Sequence, residues 1–161
     1  MKRKKRTLFI LAVITVALCA CAPVKPVADY DALGMCVGLE YQYYSDIYNP
    51  AYQIVSRDDG DILLYEIQAG YDSKGTAEIL RTAELNKGVL LELTRIIREN
   101  DLYRWNDYKN EQEVLRADGS GLHFTAEYEN GQALVINANS PFPEGLWDDI
   151  SPVTEYTEQL F

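Results

Sequence analysis

The residues that could support catalysis in this sequence are few, and they stand apart from one another. His123 is the only histidine, so any mechanism that needs an imidazole depends on it. Ser120 lies three residues before it, and Cys36 is the only cysteine beyond residue 21. Ser120 is not part of a Gly-x-Ser-x-Gly elbow. The sequence also shows no third residue that would orient His123 towards Ser120 or Cys36. The sequence therefore predicts no catalytic residue.

Metal ligation has no better support. Zinc sites need several His or Cys residues at close spacing, and the chain has one His and three Cys. Asp58, Asp59 and Asp61 flank a glycine, but turn formation explains their spacing better than a calcium loop does. Adjacent Asp148 and Asp149 would point about 100° apart on a helix and could not share a proton. We predict no metal site and no cofactor.

The N-terminal segment has the organisation of a secretory leader. Residues 2–6 are all basic, and the largely apolar run from Thr7 to Leu18 is shorter than the roughly 20 residues of a membrane span. Leu18-Cys19-Ala20-Cys21 follows, and this pattern resembles the lipobox of bacterial lipoproteins. The resemblance implies a signal peptide over residues 1–20, a lipid on Cys21 and an anchor on the extracytoplasmic side of the cell membrane. An uncleaved anchor helix is the alternative.

The charge of the remaining chain limits its partners. Residues 1–20 carry five of the 15 basic residues and none of the 25 acidic ones, which leaves ten against 25 and a formal charge of −15. Such a surface repels phosphates, so we expect no nucleic-acid partner. With Cys19 removed and Cys21 lipidated, Cys36 has no cysteine left to pair with.

A proline-containing segment and a tyrosine-rich segment follow the leader. Pro23 and Pro26 remove backbone donors, so residues 21–34 are predicted to form a lipidated tether and residues 35–161 a single domain. Six of the twelve tyrosines lie between residues 30 and 52. Tyrosine combines contact area with a polar tip, so we interpret Tyr41, Tyr43 and Tyr44 as candidate binding residues. Half-buried strand positions are the favoured interpretation of this segment, because tyrosine is a good strand former.

Alternating apolar residues and turn signals predict five strands, over residues 52–57, 61–67, 76–85, 122–128 and 132–138. A two-residue Asp59-Gly60 turn in the first hairpin would bury Tyr52 and Ile54 together with Tyr65. In the second hairpin, a three-residue loop over 129–131 is favoured because it pairs Phe124 with Ile136.

Helical periodicity appears twice. Five apolar residues between Val89 and Ile97 form one stripe of a helix that begins at Asn86 and ends near Asn100. The segment from Glu144 to Phe161 is predicted to be one or two helical pieces, broken near Pro152. The predicted fold is α+β, an antiparallel sheet of about five strands with these two helices on one face.

Several short motifs in the second half resemble a family of uncharacterised bacterial lipoproteins and secreted proteins. They are an Asp-Gly-x-x-Leu-x-Phe strand over 118–124, the Asn130-Gly131 turn, and Asn139-Ser-Pro-Phe-Pro143 before the last helix. The family often has a tryptophan early in its first strand, where this chain has Leu122. The resemblance implies the fold and an envelope location, and it brings no known activity.

These observations favour a membrane-anchored extracytoplasmic lipoprotein that acts as a binding or interaction module, with a protein or peptide as a candidate partner. A small cell-envelope hydrolase or an inhibitor-like protein that uses the sheet rim near His123 is the alternative. A purely structural lipoprotein is a third possibility, because no motif in the sequence distinguishes it from the other two.

Overall fold

The computed structural model describes residues 29–44, 50–69, 77–109 and 120–161, and the predicted lipobox with Cys21 lies outside these ranges. Seven strands form one sheet: β1 (Cys36–Tyr44), β2 (Pro50–Ser56), β3 (Ile62–Ala69), β4 (Ala77–Leu85), β5 (Tyr108–Lys109), β6 (Gly121–Tyr128) and β7 (Ala133–Asn139). The helices are α1 (Tyr30–Leu33), α2 (Lys87–Glu99) and α3 (Leu146–Glu158), and a 3-10 helix spans Leu102–Trp105.

The predicted antiparallel sheet of about five strands is wrong. The described chain is mostly sheet, and its one sheet is mixed, with the order β4-β3-β2-β1-β6-β7-β5. Six strands pair antiparallel, while the two-residue β5 pairs parallel with β7. The difference comes from the two strands that the prediction omitted, β5 and the central strand β1.

The sheet buries one face beneath the two longer helices. On α2 the predicted stripe is confirmed, because Val89, Leu90, Leu93, Ile96 and Ile97 are all buried. Burying five such side chains contributes about 1.5–3 kcal/mol each. Asn86 caps this helix by accepting a hydrogen bond from the Gly88 amide at 2.8 Å, as the sequence predicted.

The C-terminal segment forms one helix and not two pieces. Pro152 lies inside α3, where its ring removes one intrahelical hydrogen bond. Leu146, Ile150 and Val153 are buried against the core, so tertiary packing keeps the helix continuous through the proline. The short α1, within the range predicted as tether, buries Leu33 in the same core.

The two hairpins have the same turn. In the β6–β7 hairpin, Phe124 pairs with Ile136 and Gly131 has a φ of 80°, which confirms the predicted three-residue loop. In the β2–β3 hairpin, Ser56 pairs with Ile62 and Gly60 has a φ of 93°. The predicted two-residue turn there is wrong, and the buried face of β3 carries Ile62, Leu64 and Glu66 instead.

Gly131→Ala should lower the free energy of unfolding by roughly 1 kcal/mol, because a side chain disfavours the left-handed conformation. A Cβ at this position would meet no atom within 4 Å, so the loss is conformational and not steric. Gly131→Asn is the matched control, since asparagine tolerates this conformation, and it should lose less. Urea unfolding of the three proteins measures this, and equal losses for alanine and asparagine would contradict the assignment.

Candidate binding surface

The strand side chains that point away from α2 and α3 form what we call the helix-free face. Cross-strand pairing arranges its centre in rows, with Glu40 between Thr125 and Gln53, and Gln42 beside His123. Tyr65 continues the first row beyond Gln53. The face therefore presents polar side chains across the middle of the sheet, where the opposite face is largely apolar.

A depression of about 310 Å³ lies on this face, above the start of β1. The pairing of β1 with β6 shifts between Cys36 and Gly38, and Ser56 donates a hydrogen bond to the Val37 carbonyl at 2.6 Å. Gly38 follows this bulge and has no side chain, so its backbone forms part of the depression. A Cβ at this position would lie 3.2 Å from Oε2 of Glu127.

The rim of the depression is acidic. Glu40 and Glu127 are both exposed and line it, Glu127 opposite Gly38 on β6 and Glu40 two residues along β1, together with the polar Gln53 and Thr125. No lysine or arginine is among its lining residues. Two carboxylates beside a small concave surface attract a positively charged group.

His123 is engaged on the same face. Its Nδ1 lies 2.7 Å from Oδ1 of Asn137, and its Nε2 lies 3.3 Å from Oγ1 of Thr125. The amide oxygen can only accept, so this arrangement fits an imidazole that carries its proton on Nδ1. Both ring nitrogens therefore stabilise the row of polar side chains.

Cys36 lies on the opposite side of the sheet from His123. Its side chain is fully buried, and burial raises the pKa of the thiol to about 12. At neutral pH the group is a protonated thiol that packs as a small apolar side chain. The structure thus does not bring Cys36 and the imidazole together. Ser120 comes just before β6. The ring nitrogen of His123 that could act as its base, Nε2, contacts Thr125 instead.

Of the three tyrosines that the sequence suggested as binding residues, the structure describes the side chains of two, and these two lie in different surroundings. Tyr41 is buried, stacks on Tyr52 at 4.9 Å and donates a hydrogen bond to Oε1 of Glu158 at 2.6 Å. Burial and the bond to Glu158 raise the pKa of Tyr41. Tyr44 is the last residue of β1, and its side chain lies outside the described part of the chain.

Tyr43 belongs to a partly exposed aromatic cluster. Its ring lies 5.5 Å from Trp147 and 6.3 Å from Phe142, and Trp147 is 45% exposed. This cluster lies where β1 ends and α3 begins, so Tyr43 contacts the helix-covered side of the sheet. The candidate surface over Gly38 therefore does not include Tyr41 or Tyr43.

A polar row on the helix-covered face was not predicted. Glu66 is 6% exposed and pairs across β3 and β4 with Arg81, whose guanidinium also lies 4.3 Å above the ring of Phe161. Tyr52 lies opposite Glu66, and burial, followed by the charge of Glu66, raises its pKa to about 12. The correct hairpin register would have revealed this row, because it places Glu66 on the buried face.

Comparisons with known proteins leave the surface to be interpreted from its own geometry. No protein-family model matches the chain, and no curated protein matches it significantly. Among the described residues, no group of three or more His, Cys, Asp or Glu side chains could hold a metal ion. Within the same ranges, no helix has the length and hydropathy to span a bilayer. The lipid anchor and the resemblance stay predictions.

Stability should fall as the pH rises above about 9, partly because of Cys36. The native thiol has a pKa of about 12, against an ordinary value of 9.0, so the unfolded chain releases this proton first. Between these two pKa values, one such group lowers the free energy of unfolding by about 1.4 kcal/mol for each pH unit. In Cys36→Ala this component of the slope should disappear, as measured by urea unfolding between pH 8 and about 11. An unchanged slope would contradict the burial of the thiol.

Proposed function

We propose that this chain is a lipid-anchored extracytoplasmic binding module whose helix-free face receives a positively charged, extended segment of a protein partner. The observation that carries the proposal is the acidic depression over Gly38 on a sheet face that no described helix covers. Peptide segments that cross such a surface can place one side chain in each depression they meet.

The size of the depression favours a partner side chain over a complete small ligand. Small-molecule pockets usually enclose about 300–1,000 Å³ and bury most of the ligand. The depression measures about 310 Å³, which is at the lower end of that range, and it is open to solvent. A lysine or arginine side chain would fit between Glu40 and Glu127 while the rest of its segment lies across Thr125 and Gln53.

Charge complementarity supports a basic partner. The chain after residue 20 carries 25 acidic and ten basic residues, so its overall field attracts cations before contact. On the helix-free face, the guanidinium of Arg57 donates to the hydroxyl of Tyr65 at 3.0 Å. This cation lies beyond the lining of the depression, and it would disfavour a second basic side chain at that position.

The alternative of a small hydrolase has weaker support. His123 uses both ring nitrogens within its own row, and Cys36 is on the other side of the sheet. Nucleophilic catalysis needs the base to contact the nucleophile at about hydrogen-bond distance. A binding function requires no rearrangement of these groups.

Replacing Glu40 and Glu127 together with glutamine should weaken binding of a short peptide of alternating Lys and Thr by about tenfold, because each carboxylate contributes a modest ionic contact. Fluorescence anisotropy of the labelled peptide at low and high salt measures this. The matched control is Glu78→Gln with Glu155→Gln, which changes the net charge equally at exposed positions away from the depression. Equal weakening in both double variants would show that only the overall charge attracts the peptide.

Cys21→Ser should abolish lipid attachment and release the chain from the membrane. The expectation follows from the thioether that the lipobox resemblance implies, since a serine cannot form it. Incorporation of labelled palmitate and fractionation of the native host measure the two effects. Undiminished labelling of the serine variant would contradict the predicted lipid anchor. That result would not bear on the proposed peptide-binding surface.

A further inference from the structure

A second concave surface lies where the described chain begins. It has a volume of about 380 Å³ and lies between α1 and α2. Its lining includes the apolar or partly apolar side chains of Tyr30, Met35 and Leu91, together with Arg95 and Arg98. Leu91 is 60% exposed, although the other large apolar side chains of α2 are buried.

The outer side of α2 combines this leucine with cations. Lys87, Leu91, Arg95 and Arg98 follow one another at intervals of three or four residues, so they form a single stripe. Three of the ten basic residues beyond residue 20 are therefore on this helix. We call these four residues the outer stripe.

The acidic neighbours of the outer stripe compensate its charge without reversing it. Arg95 forms ion pairs with Glu92 and Glu99, and Arg98 pairs with Asp31 at 2.7 Å. Three cations thus face three anions in a chain that is otherwise strongly acidic. Exposed ion pairs of this kind are weak and readily exchange partners. An anionic surface would be repelled less here than by the acidic remainder of the chain.

The position of the predicted tether indicates that this groove faces the bilayer. Asp29 caps α1, and Tyr30 and Asp31 are the next residues and line the groove. Eight residue steps separate Cys21 from Asp29, and a fully extended chain of that length reaches at most about 28 Å. A lipid on Cys21 therefore holds this side of the domain close to the bilayer.

We propose that the groove and the outer stripe rest on the surface of the bilayer, and this inference depends on the lipid anchor proposed above. Leu91 enters the boundary between headgroups and acyl chains, and Lys87, Arg95 and Arg98 extend towards lipid phosphates. Long basic side chains commonly cover apolar surface while keeping their charge among headgroups. Tyr30 has the combination of ring and hydroxyl that is enriched at membrane interfaces. The contact orients the domain, and the lipid supplies the attachment.

The test places a bimane label at Leu91→Cys in the lipidated full chain. The buried Cys36 has a thiol pKa of about 12 and should not react with the label. The matched control carries the label at Ile79→Cys, which is similarly exposed at 57% but lies near the far end of β4. Both proteins are reconstituted in vesicles of equal parts phosphatidylglycerol and brominated phosphatidylcholine. Bromine quenches bimane only when the two are close, so quenching should be at least about twofold stronger at position 91.

A second pair of variants tests the cations. Arg95→Gln with Arg98→Gln should reduce the quenching at position 91, whereas Arg57→Gln with Arg104→Gln, an equal change in charge at exposed positions elsewhere, should not. Equal quenching at positions 79 and 91 would overturn the proposal. A label at 91 that is shielded from water but not quenched would do so as well, because a second copy or another protein would then cover the groove.

A further arm separates this inference from the lipid anchor. Residues 1–21 are replaced by a histidine tag, and the chain is attached to the same vesicles through a nickel-chelating lipid. Stronger quenching at 91 than at 79 in this arm supports the membrane-facing groove even where mass spectrometry finds no acyl chain on Cys21. Loss of the difference in this arm overturns the inference and leaves the lipid anchor standing.

Discussion

Burial of one face of the sheet beneath α2 and α3 is the constraint on which the rest of this structure depends. The helices supply Leu93, Ile97 and Ile150, which are fully buried against the strands. Because side chains alternate along a strand, each residue that enters this core forces its neighbours onto the other face. The helix-free face is thus a direct consequence of the core, and its polar composition allows it to remain exposed to solvent.

The elements that the sequence predicted correctly depend on strong local signals. Helix α2 has a five-residue apolar stripe and an asparagine cap, and both periodicity and capping identify its ends. In the β6–β7 hairpin, only one register buries Phe124 and Ile136 together, so the loop length followed from the pattern. Local preference and tertiary packing agree in these two elements.

The predictions of strands and register failed where tertiary contacts override the local sequence pattern. The central strand β1 places Leu39, Tyr41 and Tyr43 on one face, but tyrosine is partly polar, so the segment shows no clear apolar alternation in the sequence. In the β2–β3 hairpin, buried Glu66 is polar, and the prediction chose the register that buried Tyr65 instead. The depression over Gly38 lies beside the bulge of β1 and is lined by residues of β1, β2 and β6. No local signal in the sequence could show that a glycine on β1 would lie opposite Glu127 of a strand almost 90 residues further along the chain.

The two ends of β1 stand in different surroundings. Asp29 and α1 come just before its first residue, whereas Tyr43 lies beside Phe142 and Trp147 near its last. A strand of nine residues measures about 30 Å, which is close to the thickness of the hydrocarbon core of a bilayer. The three rings therefore lie about the length of this strand away from the residues at which the described chain begins. At that end of the strand the indole of Trp147 is 45% exposed, so it is accessible from the solvent.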